Sequence, residues 1–243
     1  MDSQQKGVSK PRSKTLRLEI TRLPRLILWR MLFRLLVNGL ARILVWMLTR
    51  TEVRGLENLP SQGPALIVSN HLGDADVIVG VAYTPVMVEA VAKAELYDFL
   101  FLGWLMDTYG VIWVHRGRPD RKALRVCLEA LAEGRMIGIA PEGRESVTGE
   151  LEPGVGGAAY LALKSDVPVV PVTFTGTQND RVIDNLRRLR RPVITLTVGS
   201  PFKLENIGDF RTSIRAGTET IMKTLAAQLP TAYRGVYRTI VED

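Results

Sequence analysis

The stretch ALIVSNHLGDAD, residues 65–76, joins a run of apolar residues to a histidine and two aspartates. The run at Ala65–Ser69 is short, rich in β-branched residues and bounded by polar ones, which predicts a buried β-strand. His71 stands just beyond the end of that strand, and Asp74 and Asp76 follow within five positions. This junction predicts a strand that brings titratable side chains to its carboxyl end.

The same strand pattern recurs along the chain after residue 53, and helical segments separate its copies. Short runs rich in Val and Ile predict further strands at 86–92, 110–114, 136–140, 167–175 and 193–198. Apolar spacing predicts helices at 75–83, 95–108, 119–133, 155–165, 179–190 and 209–228. This alternation favours an α/β fold with a mostly parallel central sheet and helices on both faces, built as one domain over residues 53–243.

The size and cysteine content of the chain restrict the classes of site that it can hold. At 243 residues, one large α/β domain with its own core is expected. The one cysteine, Cys127, lies in a segment of helical apolar spacing and is interpreted as a core thiol rather than a nucleophile. A disulfide framework and a Cys-rich metal site are excluded. With His71 and His115 as the two histidines, no metal site is predicted.

The basic charge of the chain is concentrated at its amino-terminal end. Residues 1–54 contain twelve lysines and arginines against three acidic residues, a net charge of +9, which leaves −2 for the remainder of a chain whose total is +7. A near-neutral body is not typical of nucleic-acid binding, so no nucleic-acid partner is expected. Residues 1–14 are basic and poor in apolar residues, which predicts a disordered tail.

Residues 15–52 are interpreted as an amphipathic helical segment that associates with a membrane. A polar stripe recurs every four positions on an otherwise apolar helix and consists of Arg30, Arg34, Asn38 and Arg42. A spanning helix would put arginines near mid-bilayer at a cost of about 2.5–3.5 kcal/mol each. A helix lying in the headgroup plane avoids this cost and offers its arginines to anionic lipid phosphates. The alternative is a helix packed on the protein's own body.

The residues alone leave the role of His71 open. It is either a hydrogen-bonded strand end or a general base whose imidazole is oriented by a carboxylate. Asp76 would lie about 140° away on a continuous helix, so the pair would have to meet through a turn that Gly73 permits. Asp74 is the competing partner, and its alternative role is to cap the following helix.

Three later strand ends also carry side chains that could bind a substrate. Arg116 comes two residues after the strand at 110–114 and could bind a phosphate, although a surface ion pair is the usual alternative. Glu142 follows the strand at 136–140 and could accept hydrogen bonds from a hydroxyl or hold arginines. The run VPVVPV at 167–172 contains two prolines, which predicts an edge or irregular strand beside a pocket.

Taken in order, these strand ends resemble the motifs of the lysophospholipid acyltransferase family, typified by the bacterial 1-acylglycerol-3-phosphate acyltransferases. The matching stretches are NHLGDAD at 70–76, GVIWVHR at 110–116, PEGRES at 141–146 and VPVVP at 167–171. Each motif is weak alone, but four in order form a specific signal over roughly residues 50–200. The resemblance implies that His71 and Asp76 are catalytic. It implies that the substrate-binding residues are Asn70, Lys93, Arg116, Glu142, Gly143 and Arg144.

The resemblance also implies the reaction. The acyl group of acyl-CoA or of an acyl carrier protein thioester would pass to the free hydroxyl of a lysophospholipid, chiefly 1-acylglycerol 3-phosphate, which gives phosphatidic acid. No bound cofactor is implied, and the protein would sit at the cytoplasmic side of the cell membrane. The alternatives are another lysolipid, a glycolipid or glycerol 3-phosphate as acceptor, a membrane-surface lipid hydrolase, or a lipid-binding protein without catalysis.

Two departures from the family pattern bear on the acceptor. Glu145 stands where relatives usually carry an arginine, and Arg144 lies one residue earlier. Val155 lies in a stretch, PGVGG at 153–157, that in relatives often carries a basic residue. Two positive charges near an acceptor phosphate are therefore expected to be missing or displaced.

Overall fold

The computed structural model of the protein describes residues 20–115 and 120–239. The predicted tail at 1–14 and Arg116 lie outside the described residues. The helices are α1 (Leu28–Leu48), α2 (Asp74–Tyr83), α3 (Leu100–Tyr109), α4 (Arg121–Ala132), α5 (Gly157–Ser165), α6 (Asn179–Arg187) and α7 (Phe210–Gln228). The strands are β1 (Arg50–Arg54), β2 (Ala65–Ser69), β3 (Val88–Lys93), β4 (Ile112–Val114), β5 (Met136–Ile139), β6 (Val169–Thr175) and β7 (Val193–Val198).

The strands form one sheet in the order β1-β7-β6-β2-β5-β3-β4. Five of the six neighbouring pairs are parallel, and only β6 and β7 pair antiparallel. The predicted α/β fold with a mostly parallel sheet is therefore confirmed. Strand β2, which carries His71 beyond its end, lies in the middle of this order, where its carboxyl end is flanked by those of β5 and β6.

Helices cover both faces of the sheet, as predicted. On one face, Val45 of α1 and Val79 of α2 share a core with Ile67 of β2. On the opposite face, helices α4, α5 and α7 contribute to a second core, in which Leu161 and Leu66 are buried. Successive residues of β2 thus face different cores, because side chains alternate along a strand. Burial on both faces explains why this strand appears in the sequence as an uninterrupted apolar run.

Strand β1 was not predicted, because its sequence RTEVR has no apolar run. Its residues alternate between exposed and half-buried, and it pairs only with β7, with Arg50 opposite Val193. An edge strand with one paired side needs few apolar residues. β1 contains residues on both sides of the boundary expected between the segments 15–52 and 53–243.

An edge or irregular strand was predicted at the two prolines, and the edge alternative is wrong, whereas the strand is irregular at Pro171. Pro171 lies within β6, which has β2 on one side and β7 on the other. The ladder between β6 and β7 covers residues 172–175 of β6 and is interrupted beside Pro171, whose carbonyl oxygen accepts the N–H of Gly199 at 2.8 Å. A proline is tolerated here because the side of the strand that would need its missing N–H faces this interruption.

Helix α1 packs on the domain through its polar stripe. The side chain of Arg34 is 1% exposed, and its guanidinium donates to both carboxylate oxygens of Glu89 at 2.6 and 3.1 Å. The Nε of Arg34 also donates to the carbonyl oxygen of Tyr109 at 2.7 Å, and the hydroxyl of Tyr109 donates to Asn38 at 3.1 Å. The expectation that this stripe faces lipid phosphates is wrong for Arg34, since its charge is neutralised inside the protein.

The opposite face of α1 is apolar and points away from the domain. Its exposed large side chains are Leu28, Trp29, Met31, Leu32, Leu35, Leu36, Leu40, Ile43, Leu44, Trp46, Met47 and Leu48. By length and composition α1 could cross a membrane. Because the buried Arg34 fastens it to the domain, the structure instead favours a helix that lies on the protein's surface and presents an apolar face to its surroundings.

Candidate active site

His71 lies at the carboxyl edge of the parallel part of the sheet, directly beyond β2. Its Nδ1 is 3.0 Å from Oδ2 of Asp76, and the two side chains are 20% and 4% exposed. A carboxylate oxygen can only accept a hydrogen bond, so this contact places the imidazole proton on Nδ1. Nε2 is then the unprotonated ring nitrogen, which is the form that a general base needs.

The carboxylate of Asp76 is fixed by the backbone that it shares with His71. Its Oδ2 also accepts the N–H groups of Leu72 at 2.6 Å and Gly73 at 3.1 Å. Three donors therefore converge on one oxygen at the start of α2. The prediction that Asp74 caps this helix is wrong, because the N-cap residue is Gly73 and the side chain of Asp74 makes no capping bond.

Gly73 is required here for close packing rather than for a left-handed turn. Its backbone is extended, with φ of 176°. A Cβ at this position would lie 2.5 Å from the carbonyl oxygen of Thr177 and 2.7 Å from Oδ1 of Asn179. Any side chain would separate the histidine loop from the connection between β6 and α6, so the glycine lets the two loops meet.

Asn70, predicted to bind substrate, faces β6 instead of a ligand space. It is 1% exposed, and its amide donates to the carbonyl oxygen of Phe174 at 2.9 Å and accepts the N–H of Phe174 at 2.8 Å. This two-bond clamp fixes the backbone one residue before His71. The geometry therefore fits a residue that positions the histidine.

Glu142 connects the loop after β5 to the histidine loop. Its Oε1 accepts the backbone N–H of His71 at 3.0 Å, and its Oε2 accepts that of Glu152 at 2.8 Å. Gly143 forms the turn that follows, with φ of +72°, a conformation that other residues rarely adopt. The predicted residue Glu142 thus contacts the backbone of His71, and Gly143 forms the adjoining turn.

Burial raises the pKa of Glu142 to about 7, although the N–H groups of Glu152 and His71 act in the opposite direction. The folded protein therefore binds this proton more tightly than the unfolded chain, whose glutamate titrates near 4.5. The free energy of unfolding should fall by up to roughly 3 kcal/mol as pH rises from 4.5 to 7. Urea unfolding between pH 5 and 8 should show a steeper decline for the natural chain than for Glu142→Gln. Equal slopes of unfolding free energy against pH for the two proteins would contradict the raised pKa of Glu142.

The stretch PEGRES at 141–146, which departs from the family pattern, makes contacts that hold its own loop together. Nε of Arg144 donates to Oε2 of Glu152 at 2.8 Å, and Oε1 of Glu152 accepts the N–H of Val147 at 2.8 Å. Glu145, at the usual arginine position, accepts a hydrogen bond from Nδ2 of Asn179 at 2.8 Å and so ties this loop to α6. The side chain of Arg144 is 60% exposed, which leaves much of the guanidinium at the surface.

Of the remaining predicted binding residues, Lys93 is less closely tied to His71. Lys93 ends β3, opposite Val114 of β4, and is half-buried at the same edge of the sheet. Its strand is separated from β2 by β5. Arg116, which follows β4 by two residues, lies outside the described residues.

A second histidine–aspartate pair, not recognised in the sequence analysis, has the same spacing and geometry. Nδ1 of His115 lies 3.1 Å from Oδ2 of Asp120, and the two side chains are 23% and 7% exposed. Asp120 also caps α4 by accepting the N–H of Ala123 at 3.0 Å. His115 follows β4, three strands from β2, a separation of roughly 14 Å at the usual strand spacing. The two histidines therefore extend from well-separated points along the edge of the sheet.

One cavity of about 810 Å³ opens between these groups and the sheet. His71, Asp76, Glu142, Gly143 and Arg144 line it, as do His115 and Asp120. The small residues Gly138, on β5, and Ala140, directly after it, also line the cavity. Its remaining walls are chiefly apolar and include Ile67, Val77, Val81, Val86, Leu124, Leu161, Val172, Phe174, Leu196 and Val198. A space of this size and character suits a ligand with a long apolar part.

Cys127 also lines this cavity, on the side of α4. It is 2% exposed, and burial raises the pKa of its thiol to about 12. The thiol therefore stays protonated at neutral pH, and a protonated thiol is a poor nucleophile. The geometry agrees with the interpretation of Cys127 as a core residue.

Comparison with known proteins places the chain in a family. The sequence model of the Acyltransferase family matches residues 50–175, slightly more than half of the chain. A chloroplastic 1-acyl-sn-glycerol-3-phosphate acyltransferase of Brassica napus is 34% identical over 144 residues, which are 56% of this chain and 40% of that protein. The Bacillus subtilis 1-acyl-sn-glycerol-3-phosphate acyltransferase is 28% identical over 62% of this chain and 72% of its own length.

The fold agrees with that of a solved relative. The crystal structure of the 1-acyl-sn-glycerophosphate acyltransferase PlsC of Thermotoga maritima has a TM-score of 0.61 and 20% sequence identity, and the match covers 82% of this chain and 81% of that one. The chain spans about two fifths of the length of the plant proteins that it matches. The family resemblance inferred from the four strand-end motifs is confirmed, and the chain belongs to the Acyltransferase family.

Proposed function

We propose that the protein transfers an acyl group from an acyl thioester to the free hydroxyl of a lysophospholipid, with 1-acylglycerol 3-phosphate as acceptor and phosphatidic acid as product. The observation that carries this proposal is the His71–Asp76 pair in an apolar cavity of about 810 Å³. The names of the related acyltransferases support the choice of acceptor. A base beside a lipid-sized cavity is what acylation of a lysolipid requires.

His71 acts as the general base in this proposal. Its Nε2 takes the proton of the acceptor hydroxyl while the hydroxyl oxygen attacks the carbonyl carbon of the thioester. The carbon–sulfur bond then breaks, and the leaving sulfur takes the proton back from Nε2, which returns the imidazole to its starting state. Asp76, bonded to Nδ1 at 3.0 Å, orients the ring and stabilises the imidazolium that forms between the two steps.

Direct attack by the acceptor makes an acyl-enzyme unnecessary. The buried thiol of Cys127 stays protonated, and the sequence contains no Gly-x-Ser-x-Gly turn to present a nucleophilic serine. Donor and acceptor must therefore occupy the site together. Acyl-CoA and an acyl carrier protein thioester both fit this scheme, and neither requires a bound cofactor.

Basic side chains at the same edge of the sheet are proposed to hold the acceptor phosphate. Arg144 lines the cavity and is largely exposed, so a phosphate can approach its guanidinium beside Glu152. Lys93, the last residue of β3, and Arg116, which comes two residues after β4 in the sequence, are proposed to add further positive charge. Glu142 and Gly143 shape the loop that Arg144 extends from, while Asn70 positions His71.

Arg116→Ala should raise the KM for 1-acylglycerol 3-phosphate roughly ten- to a hundredfold, because a charged hydrogen bond contributes about 1.5–3 kcal/mol to ground-state binding. Steady-state kinetics with a saturating thioester would measure this. Monoacylglycerol, which has no phosphate, serves as the matched control acceptor and should show no change in KM. An unchanged KM for the phosphate acceptor would remove Arg116 from the phosphate site.

Membrane association is proposed to occur through the apolar face of α1, at the cytoplasmic side of the cell membrane, where thioester donors are found. The polar stripe of the helix is used to hold the domain, so attachment depends on apolar burial more than on charge. Both lysolipid and product reside in the bilayer. A domain held at its surface can exchange them without releasing either to water.

The choice of acceptor can be tested by thiol release from acyl-CoA with a panel of acceptors. Purified protein in detergent would be offered 1-acylglycerol 3-phosphate, glycerol 3-phosphate, a lysophosphatidylcholine and monoacylglycerol. We expect the highest kcat/KM with 1-acylglycerol 3-phosphate. A preference for any other member would assign the protein a different acceptor within the same reaction class, and the displaced charge at Glu145 makes this panel informative.

A further inference from the structure

Helix α3 and the residue before it carry a second outward apolar surface. The exposed fractions are 61% for Phe99, 92% for Leu100, 73% for Phe101 and 57% for Trp104. We refer to these four residues as the α3 patch. Soluble proteins rarely expose large apolar side chains in such a cluster, so the patch calls for something that covers it.

The packing of α3 forces these side chains outward. Gly103 is buried on the inner side of the helix, where a Cβ would lie 2.3 Å from the carbonyl oxygen of Tyr97. The ring of Tyr97 in turn packs edge-on against the buried Trp113 at 5.4 Å. Since α3 is held this tightly by its glycine face, the patch on the other face cannot turn inward without unpacking the helix.

The patch is continuous with the apolar face of α1. The rings of Phe33 on α1 and Trp104 on α3 meet edge-to-face at 6.2 Å. At the other end of α3, Arg30 and Arg34 of α1 donate to the carbonyl oxygens of Thr108 and Tyr109 at 3.1 and 2.7 Å. The two helices therefore present one surface, and whatever covers α1 also meets α3.

The connectivity places the patch at the edge of the sheet that carries the active site. α3 joins the parallel strands β3 and β4, so it begins at their carboxyl edge and ends at their amino edge. Phe99, Leu100 and Phe101 stand at its beginning. The side chains that protrude furthest therefore lie at the same edge as His71 and its cavity.

The charges near the α3 patch favour apolar insertion over attraction to lipid headgroups. The four patch residues are uncharged, and the nearest exposed acidic residues along the chain are Glu95 and Asp98. Their negative charge opposes a purely electrostatic approach to an anionic surface. A lipid hydrocarbon region satisfies both the apolar α1 face, which is long enough for a membrane, and the adjoining patch.

We propose that the α3 patch is a second membrane-inserting element, which enters the same lipid leaflet as α1 and holds the mouth of the His71 cavity against the bilayer. This inference rests on the membrane association proposed for α1. It adds that two elements, separated in the sequence, fix the orientation of the active site relative to the lipid.

Trp104 offers a direct reporter in a chain with four tryptophans. Replacing the exposed Trp29 and Trp46 with phenylalanine leaves Trp104 and Trp113, and Trp113 is fully buried in the protein core. Fluorescence would be measured with vesicles of phosphatidylcholine and phosphatidylglycerol whose acyl chains carry bromine near the headgroup. The same background with Trp104→Phe supplies the control, because only the core tryptophan then remains.

We expect brominated chains to quench Trp104 by at least a third of its signal, with no change in the Trp104→Phe control. Sedimentation of the same samples reports binding separately. Protein that sediments with vesicles but shows no quenching beyond the control would overturn the α3 proposal and leave α1 attachment standing. Protein that fails to sediment would overturn both membrane proposals, while acyl transfer in detergent would still test the chemistry. A concentration-dependent blue shift of Trp104 without vesicles would assign the patch to a second copy of the chain and overturn the proposal.

Two surface variants test how much the α3 patch contributes to the free energy of membrane binding. Leu100→Ser combined with Phe101→Ser should weaken partitioning into these vesicles at least tenfold, and the loss should persist at high salt. Ile207→Ser is the matched control, because Ile207 is 49% exposed in the loop before α7, which packs on the face of the sheet opposite α1. Equal partitioning of the double variant and the control would contradict the proposal.

Discussion

Replacing His71 with alanine is expected to lower kcat for acyl transfer about a thousandfold, which is the usual contribution of a positioned general base. Without the imidazole, no group in the described part of the site stands beside Asp76 to take the hydroxyl proton. The KM for both substrates and the binding to vesicles should change little, because His71 lies in the loop after β2 and is not part of the exposed apolar face of α1. Steady-state thiol release with purified protein measures the rate, and vesicle sedimentation measures the binding.

The structure supplies an internal control for this experiment. His115→Ala removes an imidazole that is held by Asp120 in the same way and lines the same cavity. Its position three strands away should limit the loss of kcat to about tenfold or less. A larger loss of kcat from His115→Ala than from His71→Ala would show that His115, and not His71, is the general base.

The second large effect is expected from Glu89→Gln, which breaks the buried ion pair that fastens α1. Arg34 and Glu89 are each 1% exposed, and Arg34 would keep its charge with no carboxylate to neutralise it. Removing one partner of such a pair costs about 3–5 kcal/mol of unfolding free energy. For a domain of this size the melting temperature should fall by roughly 10 °C. Urea and thermal unfolding of the two proteins would measure the difference.

An exposed ion pair provides the matched control. Arg54 and Glu52 are joined at 2.8 Å, but their side chains are 61% and 56% exposed, so Glu52→Gln should leave stability unchanged within error. The combined change Arg34→Met and Glu89→Leu should recover much of the stability that Glu89→Gln loses, because position 34 then carries no charge and Arg135, which lies 3.5 Å from Glu89, keeps its ion pair with Glu133. Equal stabilities of Glu89→Gln and Glu52→Gln would show that the Arg34–Glu89 pair is solvated and contradict its burial.

The sequence predicts those features of the fold that depend on local pattern. Strands β2 and β7 occupy the residues predicted for them, because each combines a short β-branched run with clear polar or glycine boundaries. β1 was missed because RTEVR becomes a strand only by pairing with β7, whose sequence lies some 140 positions later. The same limit applies to Pro171, which is tolerated in a central strand only because the neighbouring ladder is interrupted beside it.

The spacing of α1 predicts a polar stripe but not its direction. A stripe of arginines can face lipid phosphates or a carboxylate of the protein, and Glu89 lies 55 residues away from Arg34. Nothing in the local sequence couples the two. The structure resolves the alternatives by burying Arg34 of the stripe and leaving the apolar face outward, so the helix is both packed on the domain and suited to a membrane.

At the candidate site, the residues themselves were easier to predict than their hydrogen-bond partners. The resemblance named Asp76, while the residues alone left Asp74 equally possible, because both lie within reach of the loop. The Glu152 partner of Arg144 could not be inferred, since the intervening loop follows no helix or strand period. The pair of His115 and Asp120 did leave a signal, because it repeats the five-residue spacing of His71 and Asp76.

The most direct test of the proposed reaction is the stoichiometry of thiol release and diacyl product. Purified protein would be given acyl-CoA with and without 1-acylglycerol 3-phosphate, with free thiol followed optically and lipid products identified by mass. We predict one phosphatidic acid for each thiol released, and negligible thiol release without acceptor or with His71→Ala. Thiol release that needs no acceptor and yields free fatty acid would identify a hydrolase and contradict the proposal that His71 activates a lysolipid hydroxyl.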